Sequence, residues 1–113
     1  MGDREKRMAE TEVLFREVNE GIAAAAERFD ADAAEFVCEC SDVNCADRLD
    51  VPLDEYERVR GEATLFLLAP GHEAVHVERV VRRRSHYWVV EKVERTMRGI
   101  AKRFNPRRPE PGG

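Results

Sequence analysis

The sequence predicts an α+β fold: a long N-terminal helix, a small mostly antiparallel sheet with a short inserted helix, and a basic C-terminal helix. Three observations carry this. Apolar residues recur at spacings of three and four in residues 14–29 and again in 93–104, the period of a helix. Between those segments, EFVCEC, RLDV, TLFLLA and HYWVVEK combine β-branched, aromatic and aliphatic residues with flanking turn formers, the pattern of short strands. Inside the strand-rich region, PLDEYERVRG returns to helical spacing.

The first helix is predicted over residues 5–29. Leu14, Val18, Ile22, Ala25 and Phe29 form one apolar stripe, and Ala23 to Ala26 have high helix propensity. Gly21 costs about 1 kcal/mol relative to alanine in a helix interior, but it permits close approach by a neighbour. At 1.5 Å per residue the helix is about 35 to 40 Å long, so part of it is expected to project or to pair with another copy. FDADAAE ends it. In EFVCEC, alternation puts Phe36, Cys38 and Cys40 on one side. SDVNCAD turns the chain, and RLDV is a second strand. Pro52 opens the inserted helix, Leu53, Tyr56 and Val59 share its face, and Gly61 stops it. TLFLLA is a buried strand ended by Pro70-Gly71. Residues 75–84 suit a helix face through Val77, Val80 and Val81, or a strand through their valine density. The strand is preferred, forming a hairpin with HYWVVEK. Val93, Met97, Ile100, Ala101 and Phe104 then stripe the last helix. A chain of 113 residues fits one domain, placed at 1–104, with NPRRPEPGG at 105–113 expected as a disordered tail.

Composition and charge exclude some functions. The longest apolar run, LFLLAP, is too short to cross a bilayer, and MGDREKRMAE has no apolar signal-peptide core. No membrane partner is expected, and the expected location is cytoplasmic. The net charge of −4 hides an asymmetry: residues 1–78 hold eight Lys/Arg against 20 Asp/Glu, and residues 79–113 hold 11 against three. Either the basic segment packs on the acidic part of its own fold or of a second subunit, or it meets an acidic partner. A nucleic acid is the alternative of that second kind. It would be held by Arg82, Arg83, Arg84, Arg95, Arg98, Lys102 and Arg103 through phosphate contacts, with Tyr87 and Trp88 available for base stacking.

All three cysteines fall within FVCECSDVNC, at Cys38, Cys40 and Cys45. An odd number in a reducing compartment moves metal ligation ahead of disulfides. Thiolates suit zinc, a borderline-soft ion that takes four ligands tetrahedrally. The spacing C-x-C-x4-C, from a strand end into a turn, can wrap an ion. His72 is the candidate fourth ligand, because Pro70 and Gly71 suit the centre of a type II turn that would aim its imidazole. His76 and His86 are weaker alternatives, and Asp42 or Asp47 could supply oxygen. Other readings of the cluster are three reduced, partly buried thiols or a redox thiol.

FVCECSDVNC, LDEYERVR, APGHE and YWVVEK, in that order, resemble a family of small uncharacterised bacterial proteins. The shared pattern is a CEC-turn-C segment, an EY-containing helix, a PGHE turn and a VVEK strand, over about residues 12 to 92. The resemblance implies no reaction. It draws attention to Cys38, Cys40, Cys45 and His72.

The sequence holds no Gly-rich phosphate loop, H-E-x-x-H or G-x-S-x-G. Enzymatic readings would use Glu73 as a base beside an open metal site, or Cys38 with His72 as nucleophile and base. A saturated Cys3His set argues instead for a structural metal, since catalytic zinc keeps a position open. The expectation is a small zinc-binding interaction or regulatory protein, with another protein or a second copy as partner and no identified small-molecule substrate.

Overall fold

Alternation and punctuation along the chain account for most of the elements. The computed structural model describes residues 2–107. In order they form α1 (Gly2–Arg28), β1 (Ala33–Val37), β2 (Arg48–Pro52), α2 (Leu53–Arg60), β3 (Leu65–Leu68), β4 (Glu78–Arg83), β5 (Trp88–Lys92) and α3 (Arg95–Arg103). This is the α+β class, with two antiparallel sheets where one was expected: a β1–β2 hairpin and a three-stranded sheet ordered β3-β5-β4. Period-two alternation buries Leu49 and Val51 of β2 and exposes Arg48, Asp50 and Pro52. Residues 78–83 resolve as strand. Val80 pairs with Val90 and Arg82 with Val89, so the valine-rich run is bulged at Val81.

The two sheets meet behind the cysteines. Beyond the end of β1, Cys38 N–H still donates to Asp47 C=O at 3.0 Å, while Glu39 N–H crosses to Leu67 C=O on β3 at 2.8 Å. Phe36, Tyr56, Val59, Phe66, Leu67, Leu68, Val89 and Val90 form the core around that junction, with Phe36 and Tyr56 stacked at 4.3 Å.

Helix α1 departs from expectation in which face it buries. It ends in a Schellman motif: Asp30 takes φ 56°, Asp30 N–H donates to Glu27 C=O, and Ala31 N–H donates to Ala26 C=O. Of the predicted stripe, Leu14, Val18 and Phe29 point outward, at 56%, 46% and 81% exposure, Ala25 is half-buried, and Ile22 packs against the edge of the core. The buried face is Ala9, Glu12, Arg16, Asn19, Ala23 and Ala26. The physical reason is that alanines allow close approach and each polar residue meets a partner from elsewhere in the chain. Arg16 donates to Ala63, Ala101 and Phe104 carbonyls at 2.8, 2.9 and 3.0 Å and lies over the Phe66 ring. Its charge thereby caps the free carbonyl end of α3. Asn19 exchanges hydrogen bonds with the Val37 backbone and donates to Glu39 at 2.7 Å. Glu12 meets Lys92 of β5 at 2.7 Å.

The last helix follows its stripe in part: Met97 and Ala101 are buried, whereas Val93 and Phe104 remain about half exposed. Glu94 caps it by accepting from Met97 N–H at 2.9 Å. Of the segment expected as a tail from residue 105 on, Arg107 is tied down, bridging Glu20 and Glu57. Residues 108–113 of that segment lie outside the described residues.

Candidate metal centre

Three local structures deliver the cluster. The end of β1 carries Cys38 and Cys40 inward, at 1% and 3% exposure. The loop then closes through an Asx turn, with Asn44 N–H on Asp42 Oδ1 at 2.9 Å and Cys45 N–H on Asp42 C=O at 3.0 Å. After β3, Ala69-Pro70-Gly71-His72 makes the turn expected of Pro-Gly. His72 N–H donates to Ala69 C=O at 3.1 Å and Gly71 takes φ 86°, which a side-chain-bearing residue would adopt only under strain.

One ligand atom from each of Cys38, Cys40, Cys45 and His72 lies within 4.8 Å of the others, so the four could hold a metal ion. Cys38 Sγ and Cys45 Sγ stand 3.6 and 3.7 Å from His72 Nδ1. Tetrahedral zinc, with bonds of about 2.3 Å to sulfur and 2.0–2.1 Å to nitrogen, sets a sulfur–nitrogen edge of about 3.6 Å. These two separations therefore match the sulfur–nitrogen edges of a coordination tetrahedron. The surroundings fit as well. His72 Nε2 lies 3.2 Å from Asp47 Oδ2, the carboxylate–histidine pairing that fixes which ring nitrogen faces a metal. Ala69 N–H donates to Cys38 Sγ at 3.1 Å, a bond that favours thiolate.

The electrostatics point the same way. The bond between the Cys38 and Cys40 thiols splits their titration. Cys40, as the accepting thiolate, is pushed down to about 5, and Cys38 is driven well above the ordinary thiol range by that bond and by burial. Partial burial pushes Cys45 up too. Three thiolates this close repel, and without a cation one proton loss makes the next harder. A divalent cation between them reverses that logic.

The weaker candidates fall elsewhere. Asp47 acts on the far nitrogen of His72. His76 lines a hollow between α1 and the β3–β4 loop with Arg4, Glu5 and Met8, and His86 sits exposed in the β4–β5 turn. Glu39, between the two buried cysteines, was not foreseen as functional. It is fully buried on the opposite side, accepting from Arg60, Asn19 and Leu67 N–H at 2.9, 2.7 and 2.9 Å. It holds the cysteine-bearing strand to α1, α2 and β3 at once. An acidic residue interrupting C-x-C on a buried strand was the available signal.

Much of the basic segment is used within the fold. Arg82 and Arg84 both turn to Glu55, at 2.7 and 3.5 Å. Arg98 reaches Glu91 at 3.6 Å and the Lys92 carbonyl at 2.8 Å. Arg83 lies over the Trp88 ring at 4.9 Å, while Arg95, Lys102 and Arg103 are exposed on α3. Tyr87 is buried, donating to Glu55 at 2.9 Å, so it offers no stacking surface. Among the described residues no helix is long and apolar enough to cross a membrane.

Comparison with protein-family models, curated proteins and solved structures finds no match to this chain.

Proposed function

We propose that the protein is a zinc-stabilised module of a reducing, cytoplasmic compartment, whose role is interaction rather than catalysis. The observation that carries this is the convergence of four donors: one ligand atom each from Cys38, Cys40, Cys45 and His72 lies within 4.8 Å of the others, with two sulfur–nitrogen separations of 3.6 and 3.7 Å. Four protein ligands saturate zinc, the arrangement of structural rather than catalytic sites. Zinc in this position would join the β1–β2 loop to the turn after β3, the junction where the two sheets already meet. Apparent binding energies of about 10–16 kcal/mol in zinc-finger peptides exceed or equal the roughly 5–15 kcal/mol stability of a whole domain. Even a fraction of that energy would govern whether the loop is ordered.

Elemental analysis of protein purified without an affinity metal tests this, with Cys45→Ser and His72→Ala in parallel. One zinc per chain in the wild type, and its loss in both variants, is the expected result. Freely titratable thiols and no metal would sink the reading.

A further inference from the structure

The outward face of α1 is a second apolar seam that the protein's own core does not use. Thr11, Leu14, Val18, Gly21 and Ala25 follow one another at alternating spacings of three and four, the a/d repeat of paired helices. Phe15 and Phe29 each fall one position beyond that seam and widen it, whereas Ile22 on the same flank is packed against the core. Leu14, Val18 and Phe29 are 56%, 46% and 81% exposed, on the side away from the buried Glu12-Arg16-Asn19 face.

Two further observations say what covers this seam. Gly21 sits in the helix interior with nothing within 4 Å of where a Cβ would stand. A glycine there costs about 1 kcal/mol in helix stability and serves no close contact within the chain. It leaves room for something outside the chain to come near. The charges along α1 then select the occupant. Its first turns mix Asp3, Glu5 and Glu10 with Arg4, Lys6 and Arg7, and its last turn carries Glu27 and Arg28; Glu10 and Arg28, both exposed, flank the seam at opposite ends.

We propose that a second copy of this chain docks on the seam, α1 against α1, antiparallel, about a two-fold axis between Asn19 and Glu20. In that register Val18 of one copy faces Gly21 of the other, and Leu14 faces Ala25. Arg28 of each copy then stands beside Glu10 of the other. The small residues Gly21 and Ala25 receive the larger Val18 and Leu14, so the axes can approach closely. A two-fold axis repeats each charge pair, which is what makes one surface self-complementary. Antiparallel packing also sets the helix dipoles head to tail. This inference rests on the proposed interaction role but not on the metal.

Sedimentation equilibrium of the full chain tests it, with zinc content measured in the same samples. The wild type is expected to be a dimer, and Leu14→Glu with Val18→Glu a monomer of unchanged circular dichroism and unchanged zinc content. Arg28→Glu alone should weaken the dimer by about tenfold or more, the equivalent of about 1.4 kcal/mol. Adding Glu10→Arg should restore it, as only the antiparallel register requires. A monomeric wild type, a double glutamate variant that stays dimeric, or failure of the charge swap to restore would each overturn the proposal. Zinc-free protein that still dimerises would sink the metal reading alone.

Discussion

Two clusters of ionisable side chains, one running from buried Cys38 and Cys40 out to exposed His72 and one buried throughout, handle charge by opposite routes. At the junction of the sheets, Cys38, Cys40, Cys45 and His72 converge with no cation from the chain among them. Between α1 and the three-stranded sheet, Glu12 and Glu78 converge on Lys92, and all three are at or below 3% exposure. The second cluster brings its own cation, so packing alone can close it. The first gathers donors that repel once ionised, and an ion from outside could complete it. A buried group of charges that balances internally reads as structure. One that leaves a cation-sized deficit of positive charge reads as a site.

The balance at Lys92 is itself incomplete. Lys92 donates to Glu78 and also lies 2.7 Å from Glu12, whose oxygens have no other hydrogen-bond partner among the described residues. Two carboxylates share one ammonium. Burial, the largest influence, raises Glu12 from 4.5 to about 7, with Lys92 opposing and Glu78 adding. A proton on Glu12 does for this cluster what a metal would do for the other.

The contrast can be broken or sharpened in order of effect. Chelation of the metal is expected to have the largest consequence, a loss of several kcal/mol in unfolding free energy. Urea denaturation with and without chelator measures it, and equal stability would mean that the cysteine cluster closes without an ion. Lys92→Met comes next. Two buried carboxylates would lose their cation, at about 3–5 kcal/mol, while zinc content should stay at the wild-type level. A variant that lost zinc as well would show that the two clusters are not independent.

Acidity should act on the two in opposite directions. The folded pKa of Glu12 is raised, so its contribution is complete below about 4.5 and is lost as pH rises through about 7. The ceiling of that loss is on the order of 3 kcal/mol, and it should vanish in Glu12→Gln. The metal cluster needs thiolates, so its affinity rises with pH over the same range. Thermal denaturation from pH 4.5 to 8, for zinc-loaded and zinc-free wild type and for Glu12→Gln, separates the slopes. A zinc-free wild type with the same pH slope as zinc-free Glu12→Gln would remove Glu12 from the account.

The smallest effect is expected at Asp47. Asp47→Asn keeps the shape but weakens the charge beside His72 Nε2, and should reduce metal affinity by about 10- to 100-fold. A chromophoric chelator competition reads this directly. Unchanged affinity would mean that the turn alone aims the imidazole.

Much of this was legible in the sequence because it is local. Strand alternation in RLDV, the Pro70-Gly71 turn and the run of three cysteines each depend on neighbours a few positions away. Even the pairing of Cys38, Cys40 and Cys45 with His72 could be anticipated, since few residue types can ligate a soft cation and the turn limited the choice. What could not be anticipated was the inward face of α1. Its apolar stripe has the right period and mostly faces out. The polar side faces in because Arg16 finds carbonyls 47, 85 and 88 residues away and Asn19 finds Glu39.

The same distance hid Glu39 and Lys92, which look like ordinary solvated charges until their partners arrive. Sequence by itself determined the elements, the turns and the donor set, since periodicity and residue chemistry act within a few residues. Tertiary structure alone decided which face of the long helix is core and which charges are buried. A charge is tolerable inside a protein only when its partner is there, and that partner comes from a distant part of the chain.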